Sequence, residues 1–284
     1  MNIKTVGIVG AGTMGNGIAQ VCAAAGLSVV MVDISAEAVQ RGVGVIAGSL
    51  DRLIKKDKLK AADKEAILGR IKGTTAYADL ARADLLIEAA TENEALKLRI
   101  LKEIDGIAAP AAIIATNTSS MSITRLAAAT KRTERFIGTH FFNPVPMMEL
   151  VELIRGLQTS DETLAAVEAF AKAIGKTSIV ARNSPGFAVN RILCPMINEA
   201  IFALQEGLAS AEDIDKGMKL GCNQPIGPLA LADLIGLDTM LSVMETFYAG
   251  FNDPKYRPAP LLREMVDAGH LGRKSGRGFF SYSQ

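Results

Sequence analysis

The chain contains no tryptophan, two histidines and three cysteines, and only 5% of its 284 residues are aromatic. Cys22, Cys194 and Cys222 are odd in number and form no CxxC pair, which argues against both a disulfide framework and a zinc site, so no metal is expected. They read instead as small apolar core residues. No apolar run approaches the roughly 20 residues that a membrane-crossing helix needs. Nor is there an excess of either charge: 31 Lys and Arg face 30 Asp and Glu. A net charge of +1 argues against a chain-wide role on nucleic acid or an anionic membrane, so any basic function must be local. The first residues run directly into an apolar strand pattern, without the apolar core and cleavage site of a secretory leader, and the expectation is a cytoplasmic protein.

What is present is alternation. Short β-branched runs at residues 5–9, 28–32, 84–88, 112–116, 136–141, 149–154 and 177–180 are separated by helical patterns at 14–25, 36–56, 94–107 and 161–174. That order predicts βαβ units around a mostly parallel sheet. Near Asn183-Ser184-Pro185-Gly186 the strand signals stop and helical stretches with Gly and Pro breaks take over, at 186–205, 211–220, 229–248 and 260–268. The helix at 229–248 has a possible break at Gly236, and 278–282 is the one strand-like piece of this part. The expected architecture is an α/β, Rossmann-type domain over 1–183 and an all-α domain over 184–284. High apolar content in the second part favours a homodimer over a helical core packed only on its own first domain.

Residues 6–15 read Val-Gly-Ile-Val-Gly-Ala-Gly-Thr-Met-Gly, a GxGxxG between a strand and a helix. Gly10 permits the tight turn, Gly12 lets backbone approach a pyrophosphate and Gly15 lets helix and strand pack closely. The segment Gly10-Ala11-Gly12-Thr13-Met14-Gly15 then presents helix-end amides to that anion. A lone GxGxxG is weak evidence in a chain rich in Ala and Gly. Here a second strand ends in Asp33, 18 residues beyond Gly15. An acid in that place accepts from the adenosine ribose hydroxyls and repels a 2′-phosphate, so the predicted cofactor is NAD rather than NADP.

His140 lies in Gly138-Thr139-His140-Phe141-Phe142-Asn143-Pro144-Val145-Pro146. Glu152 follows 12 residues later, with Pro146 at the midpoint. Strands folding back at that turn would oppose the two side chains, and a carboxylate at one ring nitrogen would set the tautomer of a proton-transfer imidazole. The alternative is a hydrogen-bonded core histidine and a solvated glutamate, and spacing alone leaves both open. His270, in Gly269-His270-Leu271-Gly272, reads as helix-end chemistry.

Two polar clusters follow strands, where parallel sheets place ligands: Thr91-Glu92-Asn93 and Asn117-Thr118-Ser119-Ser120. Either could instead cap the next helix, which after the second cluster begins near Ser122. Ser49, Arg52 and Lys56, at i, i+3 and i+7, share one helix face, with Lys55 and Lys58 beside them. This local basic patch suits a phosphate-bearing substrate, or is a solvated helix face.

Taken together, Gly7 to Gly15, Asn117 to Ser120, His140 to Pro146, Asn183-Ser184-Pro185-Gly186-Phe187-Ala188-Val189-Asn190-Arg191 and Gly227-Pro228-Leu229-Ala230-Leu231-Ala232-Asp233 closely resemble the L-3-hydroxyacyl-CoA dehydrogenase family. Within it, the bacterial short-chain members acting on 3-hydroxybutyryl-CoA are most similar. The resemblance covers essentially the whole chain. It implies a Rossmann-type domain, a helical dimerisation domain and an acyl-CoA thioester held in the cleft between them. It further implies that His140 is the catalytic acid/base with Glu152 as its orienting partner, while Ser119 and Asn190 hold the reacting oxygen and its surroundings. Glu92, Lys97, Ser119, Asn143 and Lys274 are implied to approach NAD, and Ser49 and Lys56 to contact coenzyme A; Arg52 joins them from the helix-face argument alone. A dehydrogenase of the same fold for a hydroxy acid or sugar acid without coenzyme A is the main alternative. A catalytically silent NAD-sensing protein is a third reading, against which the His140 and Glu152 pair counts.

Overall fold

The computed structural model describes residues 3–282. The chain divides into two compact units, Met1–Asn183 and Ser184–Gln284.

The first unit contains β1 (Thr5–Val9), α1 (Thr13–Ala24), β2 (Ser28–Val32), α2 (Ala36–Ile54), α3 (Ala61–Gly69), β3 (Ile71–Thr74), β4 (Leu85–Glu88), α4 (Glu94–Ile107), β5 (Ile113–Thr116), α5 (Ile123–Ala127), β6 (Phe136–Phe141), β7 (Leu150–Arg155), α6 (Asp161–Ala173) and β8 (Thr177–Arg182). Its eight strands form one sheet in the order β3-β2-β1-β4-β5-β6-β7-β8. Every pair is parallel except β6 and β7, so β7 and β8 run against the first six. Strands covered by helices on both faces need apolar side chains on both, and Leu85–Glu88 and Ile113–Thr116 are buried at every position. The core joins Val6, Ile8, Val29, Met31, Ile87, Ile113 and Ile137 to helix residues Ile18, Ile46, Leu50 and Phe170.

Two elements, α3 and β3, have no counterpart in the expected pattern. Ile-Lys-Gly-Thr is too short, and β3 too exposed as the sheet's outer strand, to show a clear apolar alternation. Helix α2 ends at Ile54, before the expected residue 56, so Lys56 lies just beyond it.

The second unit is helical: α7 (Val189–Gln205), α8 (Ala211–Gly221), α9 (Pro228–Ile235), α10 (Leu237–Phe251) and α11 (Pro260–Asp267). Helix α7 starts later than 186 because Gly186 and Phe187 both take positive φ, 77° and 51°. Gly236, at φ 103°, separates α9 from α10. The expected strand at 278–282 does not form. Instead the segment makes single bridges between Gly272 and Arg277 and between Arg277 and Ser281. Its backbone is held by the buried Asp233 carboxylate, which accepts from Phe279 N, Phe280 N and the Tyr282 hydroxyl, each at 2.9 Å. A second buried carboxylate, Asp215, accepts from Leu229 N and Ala230 N at 2.8 and 2.9 Å and so caps α9, whose own Gly227 has no capping side chain. A Cβ on Gly227 would collide with that carboxylate.

Candidate active site

The glycine turn joins β1 to α1. Gly10 has φ 106°, and a Cβ there would stand 2.7 Å from the Ala89 carbonyl oxygen at the end of β4. A Cβ on Gly15 would overlap the Gly10 carbonyl, so helix and turn meet without side chains. Gly12 differs, because nothing lies within 4 Å of where its Cβ would be. The fold itself makes no use of that open space, which suits backbone approach by a phosphate. Helix α1 has no side-chain cap and no acid in its first turn, leaving the amide-rich end of Thr13, Met14 and Gly15 without a carboxylate competitor. Asp33 Oδ2 accepts from Ala11 N and Oδ1 from Ile34 N, both at 2.7 Å, so its carboxylate is fixed at the turn. These residues fit a dinucleotide. The sheet order reverses between β1 and β4, where such folds bind their ligands.

His140 and Glu152 are direct partners in the antiparallel β6–β7 ladder. Imidazole Nδ1 lies 2.7 Å from Glu152 Oε2, and both side chains are buried. With Nδ1–H donating to the carboxylate, Nε2 is the ring nitrogen that could exchange a proton with a substrate. Asn117 Oδ1 accepts from Phe141 N at 3.0 Å and holds the end of β6.

The two polar clusters meet through Glu92. Its Oε1 accepts from Ser119 N at 2.6 Å, Thr118 Oγ1 at 2.9 Å and Ser119 Oγ at 3.1 Å. The first cluster also caps its helix, since Asn93 accepts from Leu96 N at the start of α4, whereas α5 is capped by Ser122, which accepts from Arg125 N and lies just beyond the second cluster. Lys97 is 1% exposed, and its ammonium serves Glu88 Oε1 and Oε2 at 2.8 and 3.0 Å and the Ala90 carbonyl at 3.1 Å, with Glu92 Oε2 at 3.5 Å. Lys97 therefore braces the carboxylates beside the β4 end. Glu88 escaped the sequence reading, although an acid closing the apolar run Leu-Leu-Ile is a signal for a buried, paired charge.

Asn143 stands exposed at the start of the turn between β6 and β7. The same turn closes a pocket of about 200 Å³ whose walls include Ser49, Arg52 and Lys56 on one side and Pro144, Pro146 and Met147 on the other. The basic patch and the turn following His140 thus share one space. Of the remaining expected residues, Asn190 lies in the first turn of α7 and Lys274 in a short turn at Arg273–Ser275, where its Nζ is 2.6 Å from the Asp238 carboxylate. Among the described residues there is no cluster of His, Cys, Asp and Glu able to hold a metal ion, and no helix long and apolar enough to cross a membrane.

A glycine turn, a tethered ribose-side acid and a carboxylate-oriented imidazole on one sheet define the class of dinucleotide-dependent oxidoreductases. Residues 5–184 match the family model described as 3-hydroxyacyl-CoA dehydrogenase, NAD binding domain, and residues 186–282 match that of the same family's C-terminal domain. The chain belongs to the 3-hydroxyacyl-CoA dehydrogenase family. It is similar to the crystal structure of (S)-3-hydroxybutyryl-CoA dehydrogenase PaaH1 from Ralstonia eutropha, at 70% identity and a TM-score of 0.98, over 100% of both chains. A 3-hydroxybutyryl-CoA dehydrogenase of Bradyrhizobium diazoefficiens is 53% identical over 99% of this chain and 96% of the relative. A probable 3-hydroxybutyryl-CoA dehydrogenase of Deinococcus radiodurans is 54% identical over 97% of this chain and 99% of the relative.

Proposed function

We propose that the protein interconverts (S)-3-hydroxybutyryl-CoA and acetoacetyl-CoA with NAD, and that His140 is its acid/base. The observation that carries this reading is the His140 Nδ1 to Glu152 Oε2 contact of 2.7 Å, on the strand that runs into the turn walling the basic pocket. Bound NAD supplies the hydride acceptor. Oxidation of the alcohol also releases the hydroxyl proton, and His140 Nε2 takes it while Nδ1–H stays on the ring, donating to the Glu152 carboxylate, which holds the ring and stabilises the imidazolium. In reduction the same nitrogen returns the proton to the carbonyl oxygen. Positioned proton transfer of this kind contributes about 10² to 10⁴-fold.

Ser119, by the family resemblance, touches both cofactor and substrate, and its hydroxyl and amide are already oriented by Glu92. Asn190 is assigned to the substrate, Asn143 and Lys274 to NAD, and Lys97 to the support of Glu92. The cations Arg52 and Lys56, with Ser49, take the phosphates of coenzyme A, since paired cations and a hydroxyl recognise phosphate oxygens. Leu208, Leu220 and Ile192 leave large apolar side chains exposed on the second unit, which supports a homodimer through that unit; light scattering on the purified protein tests it. The expected setting is the cytoplasm.

The deciding experiment follows NADH loss with acetoacetyl-CoA and with free acetoacetate, each with and without added coenzyme A. Turnover of the thioester, competed by coenzyme A and far exceeding that of the free acid, is expected. Equal turnover of the two substrates would instead favour a dehydrogenase that does not use coenzyme A.

A further inference from the structure

The turn between β6 and β7 is held from two directions. From below, Lys176, the residue before β8, sends its ammonium to the carbonyl oxygens of Val145 and Met148, both at 2.6 Å. Its place is set by the sheet, because Thr177 opens β8 opposite Leu150 and Thr177 N donates to Glu149 O. From the side, α1 contributes Gly17, where a Cβ would stand 2.8 Å from Val145 Cβ, so the dinucleotide helix touches the turn. Lys176 is buried, and burial outweighs the nearby Glu149 carboxylate in holding its pKa below the ordinary lysine value. A lysine placed there at that desolvation cost needs strong acceptors, and the two carbonyls provide them. The other titratable neighbour is Cys22 on α1, a buried thiol.

We propose that Lys176 is a positioning residue for the thioester: by clamping the turn it sets Pro144, Pro146 and Met147 against Ser49, Arg52 and Lys56, and so fixes the width of the pocket assigned to coenzyme A. The proposal rests on the proposed function for the identity of the ligand. Lys176 itself meets no substrate atom. Its effect is transmitted through the two carbonyls and the short bonds from Met147 N and Met148 N to Pro144 O, at 2.9 and 3.0 Å. Asp33 and the glycine turn lie on other elements, and of the residues assigned to NAD only Asn143 lies on this turn, before the two clamped carbonyls, so loss of the clamp acts on the thioester far more than on NADH.

Lys176→Met and Lys176→Arg test this. In Lys176→Met the KM for acetoacetyl-CoA rises about ten- to a hundredfold, as a displaced binding wall requires, while kcat falls by less and NADH affinity, followed by its own fluorescence, stays near wild type. Lys176→Arg, which keeps a cation with several donors, recovers part of the KM. Amide exchange at Met147 and Met148 quickens in the Met variant. An unchanged KM, or a KM and an NADH affinity that worsen together, overturns the proposal, the second marking general loosening of the domain. Failure of the wild-type protein to turn over acetoacetyl-CoA counts against the proposed function. In that event the clamp is judged by exchange at Met147 and Met148, and unaltered exchange there overturns it.

Discussion

His140 and Glu152 face each other across the antiparallel β6–β7 pair with Nδ1 and Oε2 2.7 Å apart, and both are buried. Directly opposed residues bring their Cβ atoms to within about 5 Å, the reach of an imidazole and a glutamate. Glu152→Gln keeps the shape but can offer an N–H to Nδ1, which would leave the proton on Nε2. Oxidation of the hydroxyacyl substrate should then fall about 10² to 10⁴-fold in kcat, with NADH affinity preserved. His140→Ala should lose a similar amount. Near-normal turnover in either variant would remove the pair from the mechanism.

Gly12 and Gly15 separate binding from folding. Gly12→Ala adds a methyl to open space and should leave thermal stability unchanged, while NADH affinity drops about tenfold or more, roughly 1.4 kcal/mol. Gly15→Ala drives a methyl into the Gly10 carbonyl and should reduce both melting temperature and affinity. If Gly12→Ala bound NADH as well as the parent, the phosphate could not lie over this turn.

Glu88 and Lys97 form a buried ion pair with Thr116 Oγ1 donating to Glu88 Oε2 at 2.6 Å. Glu88→Gln removes the nearer carboxylate from the buried Lys97 ammonium, leaving it the Ala90 carbonyl at 3.1 Å and Glu92 Oε2 at 3.5 Å, and should destabilise the protein by about 3 kcal/mol in denaturant unfolding. Replacing both, by Glu88→Gln with Lys97→Met, should cost less than Glu88→Gln alone. A double variant no more stable than the single one would mean that the pair is not a closed electrostatic unit.

The three cysteines should differ in reactivity. Burial pushes the Cys194 thiol up to about 12 and Cys22 higher still, so neither yields appreciable thiolate at pH 8. Cys222 is exposed. Under native conditions iodoacetamide should label Cys222 first, as read by peptide mass spectrometry, and the other two only after unfolding. Rapid native labelling of Cys22 would contradict its place between α1 and the sheet.

Much of the first unit is legible in the chain because its signals are local. A strand, a glycine turn and a helix follow one another within residues 5–24, and Asp33 closes the next strand. At Gly15 the clash is with the Gly10 carbonyl five positions away, and at Gly10 the turn's own positive φ already favours glycine, although the atom a side chain would strike belongs to Ala89 on a distant strand end. The Pro146 midpoint likewise anticipates the β6–β7 register, since an antiparallel return pairs residues symmetrically about its turn. Less legible were β3 and α3, where an exposed outer strand has little apolar patterning, and the 278–282 segment, where β-like composition serves an anchor on Asp233.

Charge pairing across the fold lies beyond any local signal. Lys97 reads as an ordinary helix lysine until Glu88 is found beneath it, and Lys176 as a loop lysine until the carbonyls of Val145 and Met148 close over it. By local pattern Ser49, Arg52 and Lys56 read more readily as a solvated face than as a phosphate site, and only in the fold do Pro144, Pro146 and Met147 supply the opposite wall. The amino-acid order alone thus specifies the dinucleotide turn, the strand-and-helix alternation and the candidate imidazole, because those follow from backbone geometry and short-range periodicity. Which carboxylate meets which cation, and which surfaces enclose a pocket, depends on desolvation and on contacts between residues of different elements, from Lys97 with Glu88 to the facing walls of the basic pocket, and these arise only when the sheet brings them together.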